Sequence, residues 1–490
     1  MRLSMLLPAA LLAACSPTPT ATSPQSGNLP DAGATASPTT TAGSTGSHPG
    51  DAGTIDTHPA LTWLEDDVPG ALARAKKEGK LVFVDTWAEW CHTCISMKHY
   101  VLDSPALRSL GEQVVFVAVD TEKEKNAKFV DQHAIDVWPT FFILDPEKGD
   151  VLGYWPGSGS VKEMDDFVRE ALSARDARRG DKLDPKSPLA ALLAAKQAQS
   201  RSDYEAAAKH YRVAVQRAPA DWPRRIEAQS GLLSALFNAG RADQCVDAGL
   251  EHLDSIRGAA KPTDFARVLF DCADHAKNAG KKSAAREAVK RRLAAVANAP
   301  HPESTPDDRA DTLGALADVL IELGDKAGAR KALTERLAIL EKASKAAPTP
   351  AAAQAYDAAL ASALLSMGRA ADAIRLLEQR EKQLPSSYEP PGRLAGVLLA
   401  MKKYPEALAA VQRALAHSEG PRRLRFLEIK ADILAGLGDA AGQVKALEEA
   451  VAGYDAQAKR QAAKPQRMVT AKRRLDAAKA ELAKAKAGPR

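Results

Sequence analysis

Val84-Asp85-Thr86-Trp87-Ala88-Glu89-Trp90-Cys91-His92-Thr93-Cys94 is the stretch on which the reading of this chain turns. Leu81-Val82-Phe83-Val84, which leads into it, is a short β-rich run and reads as a buried strand. The strand runs straight into Cys-x-x-Cys, and a helical stretch follows. In that arrangement the first cysteine stands at a helix N-terminus, where unpaired amide N–H groups and the helix dipole favour a thiolate. Its sulfur can attack a partner disulfide. The second cysteine, one turn on and on the same side of the helix, can then resolve the mixed disulfide.

Working outward, Asp66–Lys80 has helical spacing and ends in a Gly-containing breaker. Downstream, Val114–Val119 reads as a second buried strand, Lys123–His133 as a polar helix and Thr140–Leu144 as a third strand. Asp145-Pro146 turns into a fourth strand, Val151–Trp155, and Val161–Ser173 closes as an amphipathic helix. Strands alternating with helices, then a hairpin and a last helix, indicate an α/β domain around a mixed sheet over residues 59–178.

The quoted segment resembles the active-site segment of thioredoxin. Trp138-Pro139-Thr140, 45 residues after Cys94, stands where that family carries a cis-proline followed by threonine. Trp63, Ala71–Glu78 and Lys98–Leu107 make the domain similar to the thioredoxin-like domains of bacterial exported reductases, notably the C-terminal domain of the transmembrane thiol:disulfide interchange protein. The resemblance implies that Cys91 is the nucleophile and Cys94 the resolving thiol. It also implies that Asp85 is a buried carboxylate relaying the proton of Cys94, that Trp90 shields the sulfur, and that Pro139 presents a backbone edge to the substrate. Two departures stand out. Ile95 replaces the basic residue usual after the second cysteine, and His92-Thr93 replaces Gly-Pro. A protonated His92 would stabilise the Cys91 thiolate; the alternative is an exposed histidine of little effect. His99 and His133 could join the cysteines on zinc, but no second Cys-x-x-Cys exists. No metal or organic cofactor is expected beyond the Cys91–Cys94 pair.

The N-terminus reads MRLSMLLPAALLAAC: Arg2, then an apolar run, then small residues before Cys15. Residues 1–14 form a secretory signal, and Leu12-Ala13-Ala14-Cys15 resembles the bacterial lipobox. That implies lipidation of Cys15, a bacterial cell-envelope location facing the periplasm, and, with Ser16 next, the outer membrane. Residues 15–58, rich in Ser, Thr, Pro, Ala and Gly and without Lys or Arg, read as a disordered tether. The 490-residue length calls for two or three domains, and a net charge of +5 is too small to imply nucleic acid. No later run reaches the ~18–20 apolar residues that span a bilayer.

Over residues 187–457 no strand signal survives. Breakers recur at Ala239-Gly240-Arg241, Ala279-Gly280-Lys281, Leu323-Gly324-Asp325, Met367-Gly368-Arg369 and Leu437-Gly438-Asp439. Second helices starting near Asp203, Arg241, Lys281, Asp325, Arg369, Lys403 and Asp439 define a helix–turn–helix repeat of 34 or more residues. Tyr404-Pro405-Glu406-Ala407-Leu408 and Tyr204-Glu205-Ala206-Ala207 resemble the second helix of a tetratricopeptide repeat. The fold class is thus an α/β thioredoxin-like domain followed by an all-α tetratricopeptide-like helical solenoid.

Cys245 and Cys272 lie at mirror positions about Gly258-Ala259, so an antiparallel hairpin brings them to one height, as a bridge or as two buried thiols. Residues 458–490 form a basic C-terminal helix or tail, with Met468, Leu475 and Leu482 on one face. It either touches anionic lipid or an acidic partner, or caps the stack.

Two functions follow. In the first, the chain is an envelope-anchored thiol–disulfide oxidoreductase acting on protein thiols and disulfides, whose repeats recruit a client or scaffold. In the second it is a tetratricopeptide-type assembly lipoprotein, with the thioredoxin-like domain mainly a docking unit.

Overall fold

The computed structural model describes residues 60–133, 135–179, 183–461 and 466–487. The signal sequence, Cys15 and the tether lie outside the described residues. The α/β domain has five strands, β1 Trp63–Glu65, β2 Leu81–Trp87, β3 Val114–Asp120, β4 Thr140–Leu144 and β5 Val151–Pro156, in the order β1-β3-β2-β4-β5. β3 runs parallel to β1 and β2, while β4 runs antiparallel to β2 and β5. β1, three residues long, carries too little pattern to be read from the sequence.

Alternation along the central strands divides the core in two. Val82, Val84, Val115 and Val117 face α1 (Val68–Glu78) and α3 (Ala127–Gln132). Leu81, Phe83, Val114 and Phe116 face α4 (Val161–Arg179) and the segment from α2 (His92–Met97) through Glu112. That segment is not one helix: a π-helical turn, Lys98–Leu102, and a 3-10 stretch, Pro105–Glu112, follow α2. α1 is capped by the Asp67 carboxylate and ends on Gly79 with φ of 68°, in accord with the predicted breaker.

Fifteen helices follow among the described residues. The first four pairs are α5 (Pro188–Ser200) with α6 (Tyr204–Arg217), α7 (Arg225–Asn238) with α8 (Ala242–His252), α9 (Lys261–His275) with α10 (Ala279–Asn298), and α11 (Pro306–Glu322) with α12 (Lys326–Ala346). Then come α13 (Pro350–Ser366) with α14 (Ala370–Gln383), α15 (Glu389–Ala400) with α16 (Tyr404–His417), α17 (Gly420–Gly436) with α18 (Ala440–Gln461), and a last helix, α19 (Gln466–Ala487). Among the described helices none is long and apolar enough to cross a membrane.

Six of the seven predicted second-helix starts fall on the residue just before α6, α8, α12, α14, α16 and α18. Lys281 does not. Gly240, Gly324, Gly368 and Gly438 take the left-handed turn that separates paired helices, with φ of 71–81°. Gly280 sits inside the first turn of α10, because Asn278 caps that helix two residues earlier by accepting from the Lys281 N–H. The breaker read at Ala279-Gly280-Lys281 is therefore corrected to a helix start.

Close approach of neighbouring helices depends on small residues. A Cβ on Gly231 of α7 would lie 2.4 Å from Cε1 of Tyr211 in α6, and Tyr211, 2% exposed, has no room to yield. Gly231→Ala is expected to destabilise the array by about 1–3 kcal/mol, read as a lower urea midpoint; an unchanged or higher midpoint would contradict this packing.

Candidate functional site

Three tryptophans, Trp87, Trp90 and Trp138, pack around Ala88, Cys91 and Cys94 at the end of β2. Cys91 is the N-cap of α2, and its Sγ accepts from the Cys94 N–H at 3.0 Å. The two sulfurs are bonded, with the Cα atoms 5.2 Å apart. The Trp138–Pro139 bond is cis. The Trp90 indole donates to Glu122 Oε1 at 2.8 Å and its ring lies 5.3 Å from that of Trp138, which donates to Thr121 Oγ1 at 2.9 Å.

Asp85 lies buried in β2, and its Oδ1 has no hydrogen-bond partner. Burial pushes its carboxyl up to about 7, against the pull of the Lys98 ammonium. Asp85 and Cys94 share the wall of one cavity of about 520 Å³, whose far side is built by the array through Gln354, Gln383 and Ser387. His99 lines the same cavity and faces Asp103 at 3.9 Å, whereas His133 stacks on Phe129 with its Nδ1 against the Phe129 carbonyl.

Sequence reasoning missed that the array closes over this end of the sheet. All four loops around the disulfide touch it. After β2, Arg393 Nη2 donates to the Trp90 carbonyl at 2.9 Å, Glu89 accepts from the Ser387 hydroxyl, and His92 Nδ1 lies 3.0 Å from Asp307 Oδ1. After β3, Glu122 accepts from the Arg422 N–H. Before β4, Asp136 accepts from the Tyr204 hydroxyl at 2.8 Å and from Asn238 at 3.3 Å. After β5, Lys261 donates to the Pro156 carbonyl at 2.9 Å and Ser158 to Asp308 at 2.8 Å. Six of these eight partners belong to the first helix of a pair, so that face of the stack meets the domain. Cys91 and Cys94 are each only 3% exposed.

Ile95 explains itself here. It joins the buried core of the array with Tyr356, Ala359 and Leu360 of α13, apolar packing that a charged side chain would forfeit. Elsewhere, α4 is clamped by Arg224, whose Nε lies 2.9 Å from Glu170 and from Glu227, and the Glu227 carboxylate also pairs with buried Lys196 of α5.

The other cysteines and the tail complete the picture. Cys245 of α8 and Cys272 of α9 are both fully buried and bonded, with Cα atoms 5.9 Å apart. Ala471, Leu475 and Ala478 of α19 join the array core, while Lys472, Arg474 and Lys479 pair with Asp455, Asp432 and Glu448. The described part of the tail caps the stack.

Residues 62–146 match the family described as Thioredoxin-like, and residues 364–433 match the Tetratricopeptide repeat family. The chain carries a thioredoxin-like domain and tetratricopeptide repeats. Its array is similar to a tetratricopeptide repeat protein from Parabacteroides merdae, at 11% identity over 56% of this chain and 97% of that one, with a TM-score of 0.38. It is also similar to a thermophilic TPR protein of Thermus thermophilus, at 20% identity over 44% of this chain and all of that one (TM-score 0.28). A third likeness is to the TPR2AB domain–pHSP90 complex of yeast Sti1, at 14% identity over 60% and 98% (TM-score 0.21). No curated protein matches the chain.

The Asp85 environment makes a signed prediction. Because its carboxyl is raised in the folded state, folding takes up a proton between pH 4 and 7, and stability contributed there is lost as pH rises through 7. Asp85→Asn is expected to unfold at the same temperature as the parent at pH 4 but later at pH 8, by the equivalent of about 2–4 kcal/mol. Equal shifts at both pH values in calorimetry would contradict it.

Proposed function

We propose that this chain is a thiol–disulfide oxidoreductase acting on protein cysteines, held at the bacterial envelope by a lipid on Cys15. The observation that carries the reading is the Cys91 sulfur at the first turn of α2, bonded to Cys94, with cis-Pro139 among the surrounding loops and Asp85 behind. In the reduced chain the Cys91 thiolate attacks one sulfur of a client disulfide. A Cys91–client bond forms, the client disulfide breaks and one client thiolate leaves. Cys94 then gives its proton to Asp85 and attacks Cys91 Sγ. The Cys91–Cys94 bond reforms and the second client thiolate departs. The reverse sequence oxidises a client dithiol. The sulfur pair is the redox carrier.

The repeats supply partner recruitment in this reading, as stacked helical hairpins offer an extended surface to other proteins. Since the first-helix face is taken up by the chain's own domain, a client or scaffold meets the remaining surface of the array. A second reading rests on the 3% exposure of both sulfurs. In it the chain is an assembly lipoprotein, and the domain serves to brace the repeats.

The two part company in one experiment. Cys94→Ser, expressed at native level, is expected to accumulate disulfide-linked clients through Cys91 on non-reducing gels, and the added Cys91→Ser change to remove them. Cys91→Ser alone is expected to lower dithiothreitol-driven insulin reduction by roughly 100-fold or more, since the attacking thiolate is gone. Full insulin turnover in Cys91→Ser would discard the enzyme, and absence of any trapped client would favour the scaffold.

A further inference from the structure

We propose that Asp307, on the array, is a positioning residue for the redox pair: it holds the His92 ring as an imidazolium in the turn that carries Cys91, and so favours the dithiol form of the Cys91–Cys94 couple. The proposal deepens the thiol–disulfide reading and rests on it.

His92 is the first residue of α2 and adjoins Cys91. Its Nδ1 lies 3.0 and 3.2 Å from the two carboxylate oxygens of Asp307, in the first turn of α11. The His92 side chain is 27% exposed and that of Asp307 only 3%, so little water screens the pair. Asp311, one turn along α11, faces the same ring and is itself held by Arg267 at 3.8 Å and Arg336 at 4.0 Å. From α15, Arg393 opposes the charge on the ring. The ligand-type atoms of His92, Asp307 and Asp311 lie within 4.8 Å of one another, but with Arg267 and Arg336 on Asp311 they form an ion-pair cluster whose cations are already present. Burial pushes the imidazole down, and Asp307 and Asp311 outweigh it, raising the ring to about 9. At neutral pH the ring is charged.

The consequence follows from charge balance. When a dithiol such as dithiothreitol reduces the pair, the S–S bond breaks and two electrons enter. Cys91 is left as a thiolate and Cys94 takes up one of the reductant's two protons, while the other goes to solvent and the reductant closes to its cyclic disulfide. The disulfide is neutral and the product carries a negative sulfur beside His92. A positive ring there, with the Cys94 N–H already directed at that sulfur, lowers the free energy of the reduced form only. Asp307 acts on the sulfur only through the charge it holds on the ring of the adjoining residue, His92, to whose Nδ1 its carboxylate is paired.

The test equilibrates the full chain with dithiothreitol redox buffers at pH 7 and reads Cys91 by peptide-resolved alkylation and mass spectrometry. Asp307→Asn is expected to shift the equilibrium about tenfold toward the disulfide, which is about 30 mV more reducing. His92→Ala should give the same shift, and the double variant no more than either alone. Asp307→Glu, which keeps the charge, should stay within about threefold of the parent. A parent-like equilibrium in His92→Ala would overturn the proposal, as would a full further shift on adding Asp307→Asn to it. Insulin inertness of the parent would sink the enzymatic reading and not this coupling, because the equilibrium is read without a client.

Discussion

The packing of α2 between its own sheet and the helical array is the constraint on which the rest depends. One side of this short helix carries Met97 into the core of the α/β domain, and another sends Ile95 among the side chains of α13. Its first turn holds Cys91, and its first residue ties to Asp307. A helix of six residues has little stability of its own. It is defined by contacts on both sides, so the geometry of the sulfurs belongs to the whole chain.

The same constraint explains the charged groups that line the junction. Glu89 and Glu122 are each raised to about 7 and Asp308 to about 6, in every case chiefly by burial, while each accepts hydrogen bonds across the interface. Buried carboxylates of this kind are tolerated because Ser387, Arg422 and Ser158 meet them. Proton binding by these groups favours the closed arrangement, so it weakens as pH rises from about 4 toward 7. His92, charged up to about 9, acts in the same direction.

Much of this was legible in the sequence, and for local reasons. Strands β2, β3, β4 and β5 announce themselves by β-branched and aromatic runs, and the Cys-x-x-Cys follows its strand without a gap. Six repeat turns declare themselves by position, and four of them by a left-handed glycine. Gly280 misled because a glycine inside a first helical turn looks the same in sequence as one that ends a helix. Cys245 and Cys272 could be placed opposite each other by symmetry about their loop. The junction was not legible, since His92 and Asp307 stand 215 residues apart and each alone reads as an ordinary surface residue. The single local hint was Ile95, an apolar side chain where the resembling family carries a base.

Hydrogen–deuterium exchange of the full chain, resolved to peptides, bears most directly on the claim that the array closes over the Cys91–Cys94 end of the domain. Segments 88–95, 120–124 and 156–160 should exchange nearly as slowly as the central strands β2 and β3. Exchange of those three segments within seconds, while α11, α13 and α15 stay protected, would mean that the array leaves the sulfurs open.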